Sequence, residues 1–241
     1  MWVARACRTV ADVKIVLLRL LRWLNLFLVT FATAYLTVHF MQRTGWFQER
    51  VYRRLLHGSE TEQRMAAAKL AQLGAENWLL TALQADSSQV REFGRRGLEH
   101  VWCYAAGEGA YRQLRAAHER AEQKDLQQAL SILNHLVAQH PKFAEARNKR
   151  ASVYWELGEW DKSLADSRSA LDLNPHHYGA WQGLGLCRLK KGEVAEACQA
   201  LRAALRIAPY DESTRTSLRE CENLLRTFAP RKPRTGDAEV I

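Results

Sequence analysis

The sequence predicts an all-α chain: a right-handed solenoid of paired helices behind a transmembrane helix. Three observations point there. Pro141, Pro175 and Pro209 stand 34 residues apart each time. Each interval holds two apolar runs with helical periodicity and closes on a proline, which blocks helix continuation. Upstream, the stretch from Trp23 to Met41 contains no Asp, Glu, Lys or Arg.

Composition sets the class. With 241 residues, 47% of them hydrophobic, and five prolines, the chain holds one or two folded domains and is not mostly disordered. The net charge of +9 is unevenly placed: residues 1–58 carry +7, 59–109 carry −2, 110–225 carry +2 and 226–241 carry +2. Binding to phosphates needs a clustered basic face, which a near-neutral repeat region does not provide, so no nucleic-acid partner is expected. Cys7, Cys103, Cys187, Cys198 and Cys221 form no CxxC and have no histidine at ligand spacing. That pattern gives no metal site and reads as thiols packed between helices. No cofactor is expected.

The first element in order is a basic flank, residues 1–22, leading into an apolar run over 15–41 interrupted by Arg19 and Arg22. About 20 apolar residues cross a hydrocarbon core of about 30 Å. Trp23 and Trp46 are 23 residues apart, about 34 Å of helix, and suit two interfacial anchors. Arg19 and Arg22 at one end and Arg43 at the other reach the head groups. A single-pass signal anchor therefore fits, in a bacterial inner membrane or an organelle membrane such as that of a plastid or mitochondrion. The flanks carry five and four basic residues, too even a split to orient the repeats. The alternative is a targeting peptide on a soluble or imported adaptor.

Residues 46–58 form an amphipathic helix with Phe47, Val51 and Leu55 on one face and Arg50, Arg53 and Arg54 opposite, ended by Gly58. It suits an anionic membrane surface or packing on the next helix. Residues 59–109 form a separate helical unit. Ser59 and Glu62 make a capping box, with Met65, Ala68, Leu70 and Leu73 as the apolar stripe. After ENWLLTALQ, DSSQVREFGRRGLEHVW starts a helix at Asp86. This succession looks like one HEAT or armadillo repeat. Such a unit stacks on a neighbour, and the first helix of the next unit is the expected one.

Residues 110–211 divide into units 110–143, 144–177 and 178–211. In the second, Ala151, Tyr154, Ser163, Ala170 and Pro175 mark small, aromatic, small, small and closing positions, with Leu157, Gly158 and Trp160 in the turn. In the third, Trp181, Leu184, Gly185, Ala197, Leu201, Ala204 and Pro209 match, with Gly192 in the turn. The first is degenerate: Ala117, Ala129, Leu133 and Pro141 fit, but its turn, EQKDLQQ, lacks glycine. A 34-residue period carrying this pattern strongly resembles the tetratricopeptide repeat. A capping helix, 212–228, and a disordered tail, 229–241, complete the reading.

The resemblance implies a protein-interaction scaffold whose first helix in each unit lines a concave groove for a partner peptide or helix. Carried over by position, that groove contains Tyr111, Leu114, Arg115, His118 and Glu122 from the first unit. The second unit supplies Glu145, Asn148, Lys149, Ser152, Trp155 and Glu156; the third supplies Gly179, Gln182, Gly183, Leu186 and Lys190. Trp155 is the expected anchor, or else it packs between units. Co-chaperone members grip a C-terminal carboxylate with Lys, Asn and Arg at five places. Here those places hold Leu114, His118, Lys149, Gly179 and Gly183, so a carboxylate clamp is not expected. GLGLC at 183–187 follows no strand and cannot cradle a phosphate. No catalytic constellation appears in the sequence, so no enzyme and no small-molecule substrate are expected.

Overall fold

A computed structural model describes residues 2–228, with side chains from Leu20 to Thr227. The expected tail 229–241, the Phe228 side chain and the side chains of most of the basic flank, Arg19 included, lie outside the described residues. The described residues form twelve α-helices and no strand. Two compact units divide at Val51.

In the first unit, α1 (Trp2–Gln42) is one continuous helix. Its stretch Leu20–Gln42 is long and apolar enough to cross a membrane, the form of a membrane span or of an N-terminal signal sequence. Trp23, Phe27, Phe31 and Tyr35 are all more than 60% exposed. Its threonines satisfy themselves: the Thr30 hydroxyl donates to Leu26 O at 2.9 Å and Thr37 to Thr33 O at 2.8 Å. Hydroxyls bonded back along the helix leave no unsatisfied donor on its apolar surface. The helix α2 (Gly45–His57) begins here and continues into the second unit.

The second unit is a succession of helix pairs. Tyr52 and Leu55 of α2 are buried, and the Tyr52 ring packs on Trp78 with centroids 4.9 Å apart. That part of the apolar face of α2 packs on protein rather than on lipid. Three helices follow: α3 (Glu60–Gln72), α4 (Glu76–Ala82) and α5 (Ser88–Cys103). Ser59 and Glu62 form the expected capping box, Glu62 accepting from the Ser59 amide and hydroxyl at 2.8 Å each. The buried face of α3 is Ala66, Ala67, Leu70 and Ala71, whereas Met65 is 71% exposed and Ala68 is also exposed. The expected Met65 and Ala68 stripe was off by one position. Gly94 and Gly97 of α5 lie against α4, where an added Cβ would stand 2.7 Å from Ala82 Cβ and 2.6 Å from Leu79 Cδ2. Small residues here allow close helix approach. Ser87, not Asp86, caps α5 and accepts from the Val90 amide at 3.4 Å.

The repeats follow as α6 (Glu108–Glu122) with α7 (Leu126–Gln139), α8 (Ala144–Glu156) with α9 (Trp160–Leu173), and α10 (Tyr178–Lys190) with α11 (Val194–Ile207). The helix α12 (Glu212–Phe228) closes the stack. Each pair turns through one left-handed residue: Lys124 at φ 63°, Gly158 at φ 76° and Gly192 at φ 78°. The first unit therefore makes the same turn with a lysine in a conformation that disfavours side chains. Ala129, Ala170 and Ala197 are fully buried at the crossings, as close helix packing requires. Cys198 and Cys221 lie together in the core between α11 and α12 with Leu201. Cys187 instead donates to Ser163 Oγ at 3.0 Å, and Ser163 to Ala151 O at 2.7 Å.

Candidate functional site

The candidate site is set by where α5 lies. Only the end of α5 meets the first repeat helix: Tyr104, which caps α5, stacks on Tyr111 at 4.0 Å. The face of α5 from Arg91 to Trp102 lies instead along the starts of α8, α10 and α12. Trp102 stacks on the His177 ring at 4.4 Å and 22° and lies 5.7 Å from the Tyr178 ring. Its indole donates to Glu76 Oε1 at 2.7 Å, which also accepts from Asn174 at 3.2 Å. Farther along, Arg91 sits over the Tyr210 ring at 3.9 Å. The expected simple stack on the first repeat helix is thus replaced by a strap across three successive repeat corners. The buried tryptophan and its hydrogen-bond partners outweigh continuation of the helix stack.

Beneath the strap is a buried polar cluster. Glu145 is 5% exposed and bonds His177 Nε2 at 2.6 Å, while Lys149 approaches it at 3.4 Å. His177 Nδ1 accepts from the Ala180 amide at 3.2 Å and caps α10, which places the ring proton on Nε2 toward Glu145. Burial alone would push the Glu145 carboxyl up, but the His177 hydrogen bond and the Lys149 charge outweigh it and hold it below the usual range. The Glu145 charge raises Lys149 in turn. Burial, with Glu145 nearby, pushes the Cys103 thiol up to about 12.

The expected groove residues therefore separate. Leu114 is 3% exposed and belongs to the core with Ala117, Leu133 and Phe143. Glu145 and Lys149 are committed to the buried cluster. Tyr111 is stacked on Tyr104, Arg115 pairs with Glu119 at 2.9 Å, and His118 lies 3.2 Å from Glu122. Lys190 is exposed away from these contacts. Between them, α8 from Asn148 to Glu156 and α10 from Gly179 to Leu186 nevertheless line a cleft of 430 Å³. Asn148, Ser152, Trp155, Gln182 and Leu186 all line it, with Gly179, Gly183 and Glu156 beside them. Trp155 is 37% exposed.

Reasoning from the sequence missed four lining residues, Ala151 of α8 among them. Lys124 reaches the cleft through the left-handed turn and pairs with Glu156 at 2.9 Å. Ser163 and Ser167 form the floor from α9, the second helix of its pair. Ser167 is fully buried, and its hydroxyl has no hydrogen-bond partner among the described residues. Only the small-residue pattern of α9 could have signalled this floor.

Residues 149–212 match the tetratricopeptide repeat family. The chain carries tetratricopeptide repeats. A second family, alkyl sulfatase dimerisation, matches residues 99–171. A TPR repeat-containing protein of Rhizobium etli is 30% identical over 97 residues, 40% of this chain and 48% of that protein. Anaphase-promoting complex subunit 3 of Schizosaccharomyces pombe is 32% identical over 87 residues, 36% of this chain and 13% of that protein. The chain thus spans less than half the length of either relative. Among solved structures, the Sgt2 TPR domain from Aspergillus fumigatus aligns at TM-score 0.49 and 16% identity, covering 55% of this chain and 90% of that one. Tetratricopeptide repeats are protein-interaction scaffolds.

Proposed function

We propose that the chain is a membrane-tethered scaffold, without catalysis of its own, that recruits or assembles a protein partner through the cleft between α8 and α10. The cleft carries this reading: a concave, half-open site of 430 Å³ with an exposed tryptophan on its wall. Tryptophan is the residue type that most often dominates the energetics of protein recognition. The apolar helix Leu20–Gln42, with none of its side chains buried, supports the tether. No side of the membrane is assigned to the repeats.

Two measurements test the parts separately. Carbonate extraction of the full chain is expected to leave it in the membrane pellet; release into the soluble fraction refutes the tether and favours an adaptor with a targeting peptide. Proximity labelling from the repeat end is expected to lose its strongest partners on Trp155→Ala. An unchanged partner set refutes the cleft as the recruiting site.

A further inference from the structure

Three glycines of α10 differ in why they are glycine. Gly185 is demanded by packing, because an added Cβ would stand 2.7 Å from Leu201 Cγ and 3.3 Å from Ala197 O. Gly183 is not. A Cβ there would meet only the Ser167 hydroxyl, at 3.4 Å, an ordinary van der Waals contact. Gly179 would meet nothing closer than the His177 ring at 3.5 Å. Neither has the positive φ found at Gly158 and Gly192. Glycine inside a helix is less stable than alanine, so these two positions carry a cost that neither the backbone nor the core explains.

What the absent side chains leave is room in the cleft. Its walls there are the Trp155 indole and Leu186, and its floor is the buried Ser167 hydroxyl, aimed at Gly183 and without a partner among the described residues. The charged groups lining it are Lys124 and Glu156, which neutralise one another at 2.9 Å. An acidic segment entering this cleft would meet no unpaired cation and would lose hydration. An aromatic side chain with a hydrogen-bonding edge matches the walls, since its ring packs on indole and aliphatic surface while its edge needs a polar partner.

We propose that Gly179 and Gly183 hold open a side-chain pocket that selects an uncharged protein segment presenting one tyrosine or tryptophan. The inference rests on the cleft being the site of recruitment. It adds a selectivity and names the residues that create it.

The test is selection of a random display library of short peptide segments on the full chain in detergent micelles. Wild type, Gly183→Ala, Gly183→Leu and Trp155→Ala are compared. Uncharged segments with a central tyrosine or tryptophan are expected to be enriched on wild type. Their binding should fall by roughly tenfold on Gly183→Ala, the effect of one misplaced methyl group in a pocket, and be lost on Gly183→Leu. Gly183→Ala should at the same time raise Tm by roughly 2 to 4 °C, a gain in stability that separates pocket filling from damage to the fold. Enrichment of acidic or purely aliphatic segments that Gly183→Leu still abolishes overturns the selectivity and leaves the cleft as the recruiting site. Segments indifferent to both Gly183→Leu and Trp155→Ala, or no enrichment at all, overturn the cleft itself.

Discussion

Replacing Trp102 by alanine should unfasten α3–α5 from the repeats while leaving the repeats folded. Trp102 is 6% exposed, so nearly the whole side chain leaves a cavity. Truncation of a buried tryptophan costs about 3–5 kcal/mol, and the stacked His177 ring contributes about 0.5–1.5 kcal/mol beyond area. The lost hydrogen bond adds little, because Glu76 keeps its bond from Asn174 at 3.2 Å. A loss of about 4 kcal/mol follows, close to the total stability of a marginal domain. The repeat core has its own buried leucines and alanines, so the damage should be local. Urea unfolding of the full chain gives the magnitude, and amide hydrogen exchange gives the location. Residues 60–103 should lose protection while α8–α11 retain theirs. A loss below about 1 kcal/mol, the effect of an ordinary surface change, would refute the strap as a fastening. Uniform loss of protection along all the repeats would refute its being local.

Other outcomes follow from named contacts. Glu145 is held below the usual carboxylate range in the fold, so its stabilisation is present above about pH 4.3 and is lost as the pH falls through its lower folded value. The stability difference between wild type and Glu145→Gln, measured by thermal melts across acidic pH, should shrink as the pH falls; a constant difference would contradict the pairing with His177 and Lys149. Gly158→Ala should cost about 1 kcal/mol because φ is 76°, and Gly185→Ala about 1–3 kcal/mol by overpacking against Leu201, both read from urea midpoints. Cys187, Cys198 and Cys221 are fully buried, and burial raises the Cys187 thiol and, with Cys198 adjacent, pushes Cys221 up to about 12. Alkylation followed by mass spectrometry should therefore label these three only after denaturant is added.

The sequence carries some of this plainly and the rest not at all. A 34-residue proline spacing and small residues at fixed offsets encode each helix pair locally, which is why the paired helices and the turns at Gly158 and Gly192 were legible. The turn at Lys124 was not, since its left-handed residue has no glycine to mark it. Leu114 was assigned to the groove by counting positions in a degenerate unit, whereas its burial beside Ala117 and Phe143 depends on packing across α7 and α8. The position of α5 depends on Trp102 meeting His177, 75 residues away, and no local pattern announces a contact of that separation. Asn148, Ser152, Trp155, Gln182 and Leu186 line one cleft because they share helix faces, a spacing that can be read from the sequence. Ser163 and Ser167 were missed because they reach the same cleft from the other helix of a pair.

Under the proposed function, the strap also limits the size of guest that the cleft would take. With Trp102 and Cys103 against the first turns of α8 and α10, the face left open on α8 runs from Asn148 to Glu156, about 12 Å of helix. An extended segment advances about 3.3 Å per residue, so roughly four residues span it. So short a segment buries well under about 1,200 Å², the size class of weak and transient encounters. Weak binding of a single side chain becomes useful when both partners are confined to one membrane, because confinement raises their effective concentration without adding a contact. On this reading the small cleft and the exposed apolar helix belong to one design: Gly183 and Trp155 set what is recognised, and α1 makes a modest affinity sufficient. Removing residues 1–44 should then abolish partner capture in cells at unchanged affinity for the selected peptide. Capture that survives the deletion would separate the tether from recognition.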